Sequence, residues 1–177
     1  MKKKIAMLGS TGSIGKSLLK IISRNKENYE IVLLTANKDY KTLIKQAKKF
    51  SVKNLILTNK KSFSILEKKI KNKKINIYKS FDQLNKIFKK KIDYIMSAII
   101  GIDGLYPTIK AIRYTKVIAI ANKESIICGW DIITKKLKKH NTEFIPVDSE
   151  HFSIWYGLKK NNTEKIEKIF LTASGGS

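Results

Sequence analysis

Apolar residues fall into short runs whose internal spacing switches between two periods. Ile5-Ala-Met-Leu8 is a compact apolar run that stops at the glycine string GSTGSIG, residues 9–15. Leu18, Leu19, Ile21 and Ile22 then recur at helical spacing, which predicts strand, tight turn and helix. Ile31-Val-Leu-Leu-Thr-Ala36 supplies a second strand at the distance of a βαβ unit. The alternation continues with a helix over 41–50, a strand over 55–57, a lysine-rich helix over 62–71, a strand over 75–78 and a short helical stretch over 84–88. Residues 94–100 form a buried-strand run, broken by Gly101-Ile-Asp-Gly104 before a helix carrying Leu105, Ile109 and Ile112. A strand over 117–121 leads to a helix through Ile126, Ile127, Ile132, Ile133 and Leu137, with Cys128 expected as a small core residue. A strand over 144–147, a helix through Ile154, Trp155 and Leu158, and a strand over 166–171 complete the pattern. Regular β/α alternation predicts an α/β protein with a doubly wound, mostly parallel sheet, whose ligands sit beyond the C-terminal strand ends.

Composition narrows the class. The 177 residues are 42% hydrophobic, enough for a packed domain or a domain plus part of another. The net charge of +23 raises nucleic-acid binding as a reading. The cations are nearly all lysine, with Arg24 and Arg113 the only arginines, and they spread along the chain, so a solvated surface is preferred and no nucleic-acid partner is expected. A single Cys128 leaves no internal disulfide, and no apolar run nears the roughly 18 residues that span a bilayer. A cytoplasmic protein without membrane contact is expected.

Candidate chemistry lies at the strand ends. A glycine turn that opens a helix lets a pyrophosphate approach backbone N–H groups at the positive helix end. At the end of the second strand, Asn37-Lys38-Asp39 puts a cation where NAD-binding chains commonly carry a carboxylate, which favours a 2′-phosphate and hence NADPH. The structural alternative makes Lys38 a surface lysine and Asp39 a helix N-cap. Asn122-Lys-Glu-Ser125 is a polar cluster at another strand end, equally explained as a first helical turn. Asp148-Ser149-Glu150 places two carboxylates two residues apart, a beginning for a Mg²⁺ or Mn²⁺ site. Its alternative has Asp148 as N-cap, Glu150 as a first-turn dipole partner and His151 as a partly buried polar residue. Residues 172–177, TASGGS, form a glycine-rich turn able to cradle a phosphate.

Taken in order, GSTGSIG, AIIGIDGLYPT, ANKES, PVDSEH and TASGG resemble the 1-deoxy-D-xylulose 5-phosphate reductoisomerase family over essentially the whole chain. The resemblance implies a Rossmann-like NADPH-binding domain over 1–146 and the beginning of an α+β catalytic domain over 147–177. It implies cofactor contacts from Thr11, Gly12, Ser13, Ile14, Asn37, Lys38, Asp39, Asn122 and Glu124. It further implies substrate contacts from Lys123, Ser149, Glu150 and Ser174, metal ligation by Asp148 and Glu150, and catalytic roles for Lys123, Asp148 and Glu150. The implied cofactors are NADPH and Mg²⁺ or Mn²⁺, with Co²⁺ as a further candidate, the substrate is a phosphosugar, and the parent enzyme is a homodimer. Three departures stand out: Asn37 where the family commonly has Gly, Asp39 where it has Asn, and Ser177 where Pro usually follows Gly-Gly. Family members are also more than twice this long, and the remainder carries a further carboxylate ligand, phosphate contacts, a lid and a helical domain. The 177 residues alone are therefore expected to bind NADPH weakly without turnover.

Two other enzyme classes have residue patterns that the chain partly offers. Short-chain dehydrogenases use Tyr-x-x-x-Lys, which Tyr106/Lys110 and Tyr156/Lys160 match, as lysine-rich chains do by chance. Semialdehyde dehydrogenases need a nucleophilic cysteine, and Cys128 has no nearby histidine in sequence.

Overall fold

The computed structural model describes residues 1–70, 74–160 and 166–170. Among these, seven strands form one sheet: β1 (Lys3–Leu8), β2 (Tyr29–Ala36), β3 (Asn54–Leu57), β4 (Asn76–Tyr78), β5 (Ile92–Ser97), β6 (Thr115–Ile120) and β7 (Glu143–Pro146). Their order is β4-β3-β2-β1-β5-β6-β7, and every neighbouring pair is parallel. The order reverses direction at β1, so a crevice opens between the ends of β1, β2 and β5.

Helices α1 (Ser13–Arg24), α2 (Tyr40–Phe50) and α3 (Lys60–Lys69) cover one face, and α4 (Leu84–Ile87), α5 (Leu105–Ala111) and α6 (Lys123–His140) cover the other. The period-2 alternation of β1 produces this division. Ile5 and Met7 pack with Leu19, Ile22, Leu43 and Phe63, whereas Ala6 and Leu8 pack with Phe81, Leu84, Ile112 and Ile126. A register shift against β2 between Ile5 and Ala6 lets Ile31 and Leu34 serve the first core while Leu33 serves the second. Helix α7 (Ser149–Lys160) follows β7 and packs against it.

Two expectations are corrected. Cys128 is exposed, as are Ile127 and Ile132, while Ile126, Gly129 and Ile133 are buried. At 100° per residue, adjacent apolar positions of α6 cannot all face the sheet. Residues 166–170 carry no regular secondary structure in place of the expected strand, and Phe170 lies largely in solvent. Apolar β-formers without a strand alongside them have no ladder to join.

Lysines also have a local use. Lys48 and Lys49 end α2, and Lys26 and Lys49 both sit 5.6 Å from the Phe50 ring centroid, where cations complement helix C-termini. No helix among the described residues is long and apolar enough to cross a membrane.

Candidate functional site

The glycine turn is held from beneath by side chains distant in sequence. Gly9 adopts φ +83, and a Cβ there would lie 2.7 Å from the Ala98 carbonyl oxygen. Its N–H donates to Thr35 Oγ1 at 2.8 Å, and the Ser10 N–H donates to the Thr35 carbonyl at 2.9 Å. The Ser10 hydroxyl donates to Gln46 Oε1 at 2.7 Å, and Gln46 Nε2 donates back to the Ser10 carbonyl at 2.8 Å. All three polar side chains are buried. A fully satisfied buried network fixes a loop in one conformation. Sequence reasoning missed Thr35 and Gln46; Thr35 carried a signal as a polar residue between Leu34 and Ala36 in an apolar run, whereas Gln46, beside Lys45, carried none.

Above that base the start of α1 is open. Gly12 is its N-cap without a side-chain hydrogen bond, and no acidic residue lies in the first turn, so the positive helix end is uncompensated. The two following glycines differ in purpose. A Cβ on Gly15 would meet the Gly9 carbonyl oxygen at 2.5 Å and Ser10 Cα at 2.6 Å, so helix and turn touch there. A Cβ on Gly12 would find only the Gly9 oxygen at 3.6 Å, so the protein itself leaves that space free.

A cavity of about 730 Å³ extends from this turn across the ends of β2, β3, β4 and β5. Thr11, Gly12 and Asn37 line it, together with Thr58, Ser80, Ile100 and Ile102, which the sequence did not single out as site residues, and Tyr106, which it raised only as a chance Tyr-x-x-x-Lys match. Ser13 and Ile14 open α1 at its edge, and Lys38 is exposed beside Asn37. Asp39 accepts from the Thr42 N–H at 2.9 Å and caps α2. Hydrogen bonds from the Thr42 side chain and backbone hold its carboxyl below the ordinary value, with Lys16 and Lys41 adding to the effect against desolvation. At the rim, Tyr106 and Lys110 both reach Asp82, whose carboxyl is lowered to about 2 by bonds from Tyr106, Lys110 and Ser80.

The ends of β6 and β7 bring the remaining candidates together. Asn122 is buried and caps α6, its Oδ1 accepting from the Ser125 N–H at 2.7 Å while Nδ2 donates to the carbonyls of Ile99 and Gly101. The side-chain amide is thus used within the chain, bracing the β5 loop against α6. Lys123 and Glu124 are exposed in the first turn of α6.

Asp148 Oδ1 accepts from the His151 N–H at 3.0 Å, as an N-cap of α7 does, and lies 2.6 Å from His151 Nδ1. Burial pushes the Asp148 carboxyl up, and the His151 backbone and ring bonds outweigh it, leaving it below the ordinary value. Its second oxygen, Oδ2, is buried without a hydrogen-bond partner among the described residues. Glu150 accepts from the Ser149 hydroxyl at 2.8 Å. Its own backbone N–H, then Ser149, lower its carboxyl, with Lys123 assisting and Asp148 opposing. Ser149 and Glu150 line a separate cavity of about 550 Å³ with Ser153, Leu158 and Lys168. Among the described residues no three His, Cys, Asp or Glu side chains converge as a metal site. Ser174 lies outside the described residues.

Strand order, the switch at β1 and the open glycine turn define a Rossmann-like α/β protein. Comparison with known proteins narrows this. The sequence model for 1-deoxy-D-xylulose 5-phosphate reductoisomerase matches residues 5–129, and that for the enzyme's C-terminal domain matches residues 144–177. The chain belongs to the 1-deoxy-D-xylulose 5-phosphate reductoisomerase family. A relative of that name from Pelagibacter ubique is 61% identical over 176 residues, covering 98% of this chain and 45% of the relative. The reductoisomerase from Zymomonas mobilis in complex with NADPH superposes with a TM-score of 0.77 at 35% identity, over 85% of this chain and 40% of that one. A DOX-P reductoisomerase bound to NADPH, fosmidomycin and magnesium gives 0.77 at 32% identity, over 84% and 37%. The chain therefore spans less than half the length of these relatives.

Proposed function

We propose that this chain supplies the NADPH-binding domain, residues 1–146, and the first metal and substrate groups, residues 147–177, of a 1-deoxy-D-xylulose 5-phosphate reductoisomerase. The whole enzyme rearranges the carbon skeleton of 1-deoxy-D-xylulose 5-phosphate and reduces the aldehyde formed, giving 2-C-methyl-D-erythritol 4-phosphate. The observation that carries the reading is Gly12: the fold leaves room for a side chain there, and the position stays bare beside an uncompensated helix end.

Thr11, Gly12, Ser13 and Ile14 receive the pyrophosphate through the turn and the first N–H groups of α1. Asn37 and Lys38 face the 2′-phosphorylated ribose, Lys38 as the cation, while Asp39 shapes the site by capping α2. Asn122 shapes it by bracing the β5 loop, and Glu124 lies at its edge. A buried carboxylate oxygen without a partner on Asp148, with Glu150 nearby, is a hard oxygen donor pair suited to Mg²⁺ or Mn²⁺. When bound, NADPH supplies the hydride and the divalent cation supplies Lewis-acid polarisation of the substrate oxygens. His151 orients Asp148, Lys123 offers positive charge beside Glu150, and Ser149 and Ser174 provide hydroxyls for the phosphosugar. With less than half the length of its relatives, the 177-residue chain by itself binds NADPH weakly and does not turn over.

Equilibrium titration of the chain with NADPH and NADH tests this. Saturable binding with NADPH preferred, and a preference that shrinks in Lys38→Ala, is the expected result. Absence of saturable NADPH binding, or equal affinity for NADH, overturns it. Steady NADPH oxidation by the chain with substrate and Mn²⁺ overturns the inactivity.

A further inference from the structure

The cavity draws its lining from the ends of β1 to β5, their loops and the start of α5, and among the described residues from none of β6, α6, β7 or α7, the position that the adenosine half of the crevice takes in the NADPH reading above. Its outer lip is apolar and exposed: Ile100 at 80%, Ile102 at 55% and Tyr106 at 49%. Exposed apolar side chains grouped on a cavity rim call for a flat, weakly polar ligand part.

Tyr106 is held unlike an ordinary surface tyrosine. Its hydroxyl donates to Asp82 Oδ1, and the same carboxylate takes Lys110 Nζ at 2.9 Å and the Ser80 hydroxyl at 2.8 Å. The Lys110 ammonium lies 5.1 Å from the ring centroid. The ring is thus tethered through its hydroxyl, and a ring already fixed in place loses little rotamer freedom when a ligand stacks on it. Asp82 and Ser80 sit in and beside the 3₁₀ turn Phe81–Gln83, whose Phe81 is itself buried in the core, so the tether has a rigid base.

We propose that Tyr106 is the stacking platform for the adenine ring of the cofactor, and that Asp82 is the positioning residue that holds it there. The proposal rests on the NADPH reading above. The hydroxyl's engagement with Asp82 also gives the Tyr106/Lys110 pair a role in binding in place of proton donation.

The test is titration of the 177-residue chain with NADPH and with 2′,5′-ADP, which carries the phosphorylated adenosine and no nicotinamide. Tyr106→Ala should raise Kd for both ligands about tenfold, as loss of one base–aromatic stack does. Tyr106→Phe keeps the ring and loses the tether, so it should raise Kd by only about threefold, as should Asp82→Asn, and a parent-like Kd in Asp82→Asn overturns the positioning role. Asp82→Asn added to Tyr106→Ala should change nothing further. Parent-like 2′,5′-ADP binding by Tyr106→Ala, or equal loss in Tyr106→Phe, overturns the platform. A further loss from Asp82→Asn in the Tyr106→Ala background overturns the positioning role. If the unsubstituted chain binds neither ligand, the NADPH reading itself fails, and this proposal with it.

Discussion

Gly12 and Gly15 stand three residues apart in the same turn, and alanine at each should break a different thing. At Gly15 the new methyl would meet backbone atoms only, Gly9 O at 2.5 Å, Ser10 Cα at 2.6 Å and Ser10 C at 2.7 Å. No side-chain rotation relieves such contacts, so α1 must move off the turn. Overpacking of this kind costs about 3 kcal/mol at its upper range. Alanine's better helix propensity returns up to about 1 kcal/mol. The balance of about 2 kcal/mol corresponds to a Tm fall of about 4–8 °C for a chain of this size. At Gly12 the nearest atom is 3.6 Å away, and φ −75, ψ 175 suits any residue. Stability should therefore stay within about 0.5 kcal/mol of the parent. The methyl would instead occupy the approach of the pyrophosphate to the helix N–H groups. Losing one charge-assisted hydrogen bond, about 1.5–3 kcal/mol, raises the NADPH Kd by about 10- to 100-fold. Thermal unfolding followed by circular dichroism, paired with NADPH titration, separates the two effects. The reasoning is refuted if Gly12→Ala melts as early as Gly15→Ala, if it binds NADPH like the parent, or if Gly15→Ala keeps the parent's Tm.

Gln46→Leu should destabilise by about 1–3 kcal/mol in denaturant unfolding, because the buried Ser10 carbonyl loses the Gln46 donor and the Ser10 hydroxyl keeps only its longer 3.2 Å bond to the Thr35 carbonyl. Asn122→Ala removes an N-cap and takes the side-chain donor from the Ile99 carbonyl, while the Gly101 carbonyl keeps only the Gly104 N–H, so a loss of about 2–4 kcal/mol is expected by the same measurement. Asp39 has a lowered folded-state pKa, so its cap contributes fully above its unfolded value and fades as pH falls through the lower folded one. Asp39→Asn should accordingly flatten the acid limb of the stability–pH profile, and an unchanged limb would show that the Thr42 contact is not maintained in solution.

Much of the fold was legible because strands buried on both faces are written as unbroken apolar runs, as in Leu33-Leu34 and Ile118-Ala119-Ile120, and because GSTGSIG marks the turn by composition alone. What could not be read depends on contacts distant in the chain. Ser10 and Gln46 are 36 positions apart, and Asp82 and Tyr106 are 24 apart. No local spacing announces either pair. Helix α6 shows a different limit: Ile126-Ile127-Cys128 reads as uniformly apolar, and only the helical rotation decides that Ile126 turns inward. Asp148 shows a third. Its spacing admits two readings, cap and ligand, and the structure gives one oxygen to the cap of α7 while the other has no partner among the described residues.

The bonding beneath the glycine turn has a consequence for motion. Amide protons of Gly9 and Ser10 are anchored to Thr35, whereas those opening α1 have no carbonyl of an earlier helical turn to bond. Hydrogen exchange should therefore change steeply between Ser10 and Ser13, slow on one side and fast on the other. A nucleotide arriving there would meet a surface that is still where it binds and mobile only in its protons.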